Sequence, residues 1–247
     1  MSVQAVPPTS TAIYHIANRK PKRVYEVTKQ LSKIADHFAP SEMTGKLKDF
    51  AAKGLIVFSI PDTIRDFLGF QEQAQHTYTY LMADDVNENE RLGSIWASFV
   101  SFCDFGESAT RMIKCGHLFD LYTLTNLSAL EAWNSGFDLV GAGNGLLSSA
   151  QRIFNAHYPQ TTQAEARKTE VEASIEACRY VKDWELATLN AVVVVIEILS
   201  LSAFFFSLSV ASSVYLGLST LIVLFLVLLY LSDLQIEEYQ RVAHISL

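Results

Sequence analysis

The sequence predicts a mainly α protein in which a helical cytosolic domain precedes a two-helix transmembrane hairpin. Three observations predict it. Residues 186–232 carry one charge, Glu197, in 47 positions. Upstream, apolar residues recur at three- and four-residue steps, and no confident alternating strand pattern appears. Half of the 247 residues are hydrophobic and only 18% charged, against about a quarter charged in an ordinary soluble domain.

The chain divides into five expected segments. Residues 1–18 contain no Asp, Glu, Lys or Arg and are rich in Ser, Thr, Pro and Gln. They lack the positive start and apolar run of a secretory signal, and the composition predicts an unfolded leader. Residues 19–160 form the expected cytosolic domain. Its first helix begins at Pro21, with Val24, Val27, Leu31, Ile34 and Phe38 along one stripe, and it ends at Pro40, where Ser41 is placed to cap the next helix. Val24, Val27, Leu31 and Ile34 are the candidate partner-binding groove, into which a helical partner would lay its own apolar residues. The basic cluster Arg19, Lys20, Lys22 and Arg23 is the candidate contact for acidic lipid headgroups, at about 1 kcal/mol per basic residue near an anionic surface.

Further along, Gly45–Phe58, Asp62–Met82 and Arg91–Cys103 read as helical stretches separated by Pro61 and by the acidic loop 84–90. The stretch 104–157 continues helical, with Leu118, Leu121, Leu124, Leu127 and Leu130 at a strict three-residue step. Gly141-Ala142-Gly143-Asn144-Gly145 is expected to be a turn between helices with positive-φ glycines. Residues 161–186 form a charged helix, with Val171, Ile175, Cys178, Val181 or Lys182, and Glu185 on one face. It is expected to run unbroken into the membrane.

The hairpin occupies 187–232. A single helix crosses a bilayer with about 20 apolar residues, so this length makes two spans, at about 187–206 and 214–232, with the polar run Ser207–Ser213 as the turn. Residues 233–247 are a short cytosolic tail. Arg179, Lys182 and Arg241 flank the spans and the turn carries no charge, which assigns both ends to one cytoplasmic side. Glu197 has three readings: an ion-handling carboxylate at membrane depth, a carboxylate near the headgroups if the first span is short or shifted toward 198–212, or a neutral buried acid.

The chemistry tested against the sequence finds no catalytic set, and the chain is expected not to be an enzyme. The glycine run 141–145 has Leu146 where a dinucleotide fingerprint needs Gly, and Gly45-Lys46 is followed by Leu47 where a phosphate loop needs Ser or Thr. Cys103, Cys115 and His117 lack a fourth ligand at metal-finger spacing. No metal and no cofactor are expected. Residues 1–70 carry a formal charge of +4 and residues 71–247 one of −11, and the acidic majority argues against nucleic acid as a partner. Three isolated cysteines argue against a disulfide framework.

An uncharged Ser/Thr/Pro leader at Met1–Asn18 and a bilobed hydrophobic hairpin at Leu186–Ser232 together resemble the chlamydial inclusion membrane proteins. The resemblance implies type III secretion, insertion in the membrane of a pathogen-containing vacuole with both termini in the host cytosol, and recruitment of a host cytosolic protein. Family members often carry the hairpin nearer the N-terminus, so here any recruiting surface falls in residues 19–185. The rival readings are a membrane-shaping protein of the peroxin-11 kind, with amphipathic helices on the bilayer, and a bacterial inner-membrane protein. Membrane lipids are expected contacts in every case, and self-association through the hairpin is open.

Overall fold

The computed structural model describes residues 21–83, 86–157, 170–207 and 209–245. Six helices make up this part: α1 (Pro21–Phe38), α2 (Glu42–Met82), α3 (Glu88–Leu118), α4 (Leu127–His157), α5 (Glu170–Phe206) and α6 (Ser212–Ile245). No strand occurs among the described residues. Successive helices pack side by side, and α1 also touches α6. The last two are long and apolar enough to cross a membrane.

Local chemistry sets most of the boundaries. Ser41 starts α2 through a reciprocal capping box: its Oγ accepts from the Thr44 amide at 3.1 Å and its own amide donates to Thr44 Oγ1 at 3.0 Å, which satisfies two of the helix's otherwise unpaired donors. Asn87 caps α3 by accepting from the Glu90 amide at 2.9 Å, and Asn126 accepts from the Ala129 amide at 3.0 Å at the start of α4. Between α5 and α6, Ser207 takes a positive φ of 52°, a left-handed conformation that ends a helix. The turn falls inside the expected Ser207–Ser213.

Three expectations are corrected. Pro61 does not divide the chain; α2 runs through it from Glu42 to Met82. An internal proline costs about 3 kcal/mol or more; α2 is held before that point by α1, where Thr44 Oγ1 donates to Asp36 at 3.1 Å, and after it by α3. Thr63 Oγ1 donates to the Ser108 carbonyl at 3.1 Å, and Thr77 Oγ1 to the Ser94 carbonyl at 2.9 Å. The glycine run 141–145 is no turn: it lies inside α4, and none of the described glycines has a positive φ. The three-residue leucine step does not form one helix either. Its period is too short for the 3.6-residue helix, and the chain leaves α3 at Leu118, passes through Asp120 at φ 56°, and starts α4 at Leu127.

The charged segment and the first span are one helix from Glu170, as expected, with 163–169 outside the described residues. Its Cys178, Lys182 and Glu185 face α6. Lys182 Nζ meets Asp233 at 2.5 Å, and Ser232 donates to Glu185 at 2.8 Å. Lys182, not Val181, therefore belongs to the packed face, and Val181 is exposed. Residues 233–245 continue α6 beyond the apolar part.

Most buried side chains are small, with Leu229 and Tyr230 of α6 the large exceptions. The small ones include Ser32, Ala51, Ser94, Cys103, Ser108, Ala142, Ser149 and Ala187, whereas Phe67, Trp96, Phe99, Trp133, Trp184 and Phe205 are exposed. Small residues between helices and large apolar ones outside is the arrangement of helices that pack in lipid, where apolar burial between helices gives no net driving force. The most apolar windows of α5 and α6 are only 6% and 11% buried in the protein. A core helix of a soluble fold would be mostly covered.

Candidate functional site

The partner stripe on α1 is uncovered at Leu31 and half-covered on either side of it. Leu31 is 50% exposed and Val27 and Ile34 are half-buried, while Ser32, about a quarter-turn round the helix, is 1% exposed. Packing onto the rest of the chain therefore passes through the Ser32 side, away from Leu31. Phe38, Met43, Leu47 and Phe50 are exposed around the α1–α2 corner and extend this apolar surface. Lys22, Arg23 and Val24 lie in α1, but their side chains fall outside the described set, as do Arg19 and Lys20 entirely.

A second constellation has no counterpart in the expected site. Asp62, Arg65 and Asp66 of α2 face Asp104, Glu107 and Arg111 of α3 across a polar cleft of about 220 Å³, with Ser108 on its wall. Arg65 pairs with Asp62 at 3.1 Å and with Asp66 at 3.0 Å. Arg111 pairs with Glu107 and reaches Asp138 of α4 at 3.3 Å. The other oxygen of Asp138 accepts from Asn134 at 2.6 Å, and Thr110 donates to Asn134 at 2.9 Å. Asp138 in turn feels the charge of Glu197 on α5. Charged and amide side chains thus lie at one level on α2, α3 and α4, with Arg111–Asp138 and Thr110–Asn134 joining the last two.

Five carboxylates share two guanidinium groups in the α2–α4 part of this layer. Burial, with the neighbouring Glu107 and Asp66 carboxylates, pushes the Asp104 carboxyl above its ordinary range, against the pull of Arg65. Of the layer's ion pairs, Arg111–Asp138 joins two helices, and the others lie within α2 or α3. The signal was present in the sequence as carboxylates and arginines spaced three or four apart inside apolar stretches (Asp62, Arg65, Asp66; Asp104, Glu107, Arg111). Such spacing puts them on one face, yet only packing shows that the faces meet.

The opposite face of the same helices is apolar. Ile60, Ile64, Phe67 and Leu68 on α2 and Ile95, Phe99 and Phe102 on α3 are exposed. Phe67 packs on Phe105 at 5.4 Å between ring centres, and Phe102 packs edge-on against Phe70 and Phe137 at 5.6 and 6.1 Å. The α2–α3 pair is therefore a two-faced layer, ionic on one side and aromatic on the other.

Among the described residues no three or more His, Cys, Asp or Glu side chains are grouped to hold a metal ion, so Cys103, Cys115 and His117 do not converge. Burial pushes the Cys103 and Cys115 thiols up, which disfavours the reactive thiolate. The charged layer offers hydrogen bonds and ion pairs, with no nucleophile paired to a base. No family model, curated protein or solved structure matches the chain.

Proposed function

We propose that this chain is a membrane-anchored association protein of the inclusion-membrane type, held in a vacuole membrane by α5 and α6 and recruiting cytosolic partners without chemistry of its own. The observation that carries the membrane part is the exposure of the two most apolar helices, whose windows are 6% and 11% buried. Left in water, that surface would aggregate. Support for recruitment comes from the α1–α2 corner, where Leu31, Phe38, Met43 and Phe50 stand exposed together. The leader 1–18 is the export signal in this reading.

Replacing Val27 and Leu31 with Asp is expected to abolish capture of the cytosolic partner while leaving the protein in the membrane fraction. Pull-downs that recover the same proteins with and without those changes would remove the groove from the account. Export is tested by fusing residues 1–18 to a reporter in a type III-competent strain, where retention of the reporter contradicts the secreted reading.

One observation favours the membrane-shaping alternative. The exposed apolar row on α2 (Ile60, Ile64, Phe67, Leu68) has the three-to-four-residue spacing of a helix that lies on a bilayer. Tubulation of anionic liposomes by the purified protein, with no partner recovered, selects that alternative.

A further inference from the structure

Helix α4 lies antiparallel beside α5 from Asp183 to Glu197. Arg152 Nε meets Asp183 at 2.7 Å. Seven residues back along α4 and seven forward along α5, a side chain at Gly145 would collide with Asn190, whose Nδ2 is 2.6 Å from where the Cβ would stand. Seven further, Asp138 feels Glu197. Whatever surrounds α5 between Asn190 and Glu197 surrounds α4 between Asp138 and Gly145 at the same level.

The sequence of α4 suits that level. Asp138 is the only charge in residues 132–151, a length of roughly 30 Å of helix, close to the hydrocarbon thickness of a bilayer. Every charge on α4 at or near the ends of this stretch is turned to a neighbour. Glu131 pairs with Lys114 at 2.5 Å, Asp138 with Arg111, and Arg152 with Asp183. The outward side holds Trp133 at 66% and Leu147 at 65% exposure, with Val140 between them half-buried.

Tryptophan placement can be read on the same register. By the α4–α5 register, the exposed Trp184 of α5 stands at the level of residue 151, roughly 18 residues or about 27 Å along α4 from the exposed Trp133. Trp133 and Trp184 thus stand about one hydrocarbon thickness apart, while the exposed Trp96 of α3 donates to Asn144 of α4 between the two levels.

We infer that the outward face of α4 (Trp133, Val140 and Leu147) is a lipid-contacting surface continuous with the hairpin, so that α4 is embedded beside α5 and α6. The occupant of this face is the acyl region of the same bilayer, because the face is apolar and stands at the level of the apolar window of α5. Small residues carry the contact: Gly145 admits Asn190, and Ala142, Ser149 and Ala187 are buried. Close backbone approach of this kind is how helices associate in lipid.

This inference rests on the membrane reading of α5 and α6, and the test separates the two. The full chain, with Cys103, Cys115 and Cys178 replaced by Ala, is labelled with an environment-sensitive fluorophore at V140C, L147C or L224C and reconstituted in phosphatidylcholine vesicles. Lipids carrying a nitroxide at chain position 5 or 12, and aqueous iodide, are the quenchers. Expected is quenching at Val140 by the deep nitroxide as strong as at Leu224, with Leu147 quenched more by the shallow one and iodide weak at all three. Iodide quenching at Val140 with lipid quenching kept at Leu224 overturns the inference and leaves the hairpin standing. Iodide quenching at both positions overturns the membrane reading itself. Circular dichroism at the wild-type helix content keeps the labelled variants comparable.

Discussion

The hairpin α5–α6 and the layer α2–α3 hold together by different means. In the hairpin, the contacts between helices carry ionic groups only toward the end that holds Lys182, Glu185, Ser232 and Asp233, and 35 uncharged residues follow Glu197. In the layer, ionic groups sit at mid-helix, between Asp62, Arg65 and Asp66 on one side and Asp104, Glu107 and Arg111 on the other. Both nevertheless expose large apolar residues outward. Apolar exposure alone therefore does not separate a membrane span from a two-faced layer; the position of the charges does. Helix α4 stands between the two, with Glu131 and Asp138 paired toward α3 and Arg152 paired toward α5.

The largest expected effect falls on the joint between the regions. Gly145→Leu places a side chain where Asn190 stands and forces α4 and α5 apart. Unfolding in detergent micelles should become easier by about 3 kcal/mol, the upper end of the cost of overpacking. A variant of unchanged stability would mean that the joint is loose.

Next comes the layer itself. Arg111→Met strips Glu107 and Asp138 of their shared guanidinium. Buried pairs cost about 3–5 kcal/mol to break and exposed ones about 0–1, so this partly exposed pair should cost about 2 kcal/mol. Partial recovery in Arg111→Lys, read by thermal unfolding, would assign the loss to charge and not to shape.

A smaller effect has the opposite sign. The Asp104 carboxyl is raised in the folded protein, by burial first and by Glu107 and Asp66 next. Its favourable contribution is therefore complete below its unfolded value and is lost as pH rises through the raised folded one. Asp104→Asn should make the protein more stable at neutral pH and flatten the change between mildly acid and neutral conditions. Unfolding midpoints that change equally with pH in both proteins would contradict that assignment. The smallest effect belongs to Arg65→Gln: its side chain is 71% exposed, and loss of its pairs should cost about 0.5 kcal/mol or less.

Much of the fold was legible because some signals are local. An uncharged run of 35 residues, a Ser41 cap and a basic helix starting at Pro21 need no knowledge of neighbours. Other features depend on what lies across the interface. Pro61 reads as a break until α1 and α3 brace the two halves of α2, and the glycines of 141–145 read as a turn until Asn190 occupies the space beside Gly145. The charged layer was missed for the same reason. Asp62 and Asp104 are 42 residues apart and form one cleft only after two helices pack. The uncovered Leu31 edge could be named from periodicity, but that it stays uncovered follows from Ser32 taking the packed side.

Protection from protease in sealed membrane vesicles tests the central claim, that α5 and α6 cross the bilayer as a hairpin, most directly. Added protease that removes the C-terminal residues after Ser232 should leave 187–232 as one protected peptide, with the turn Ser207–Ser213 intact until detergent opens the vesicle. Peptides ending within that turn before detergent is added would place the turn on the same side as the C-terminus and contradict the account.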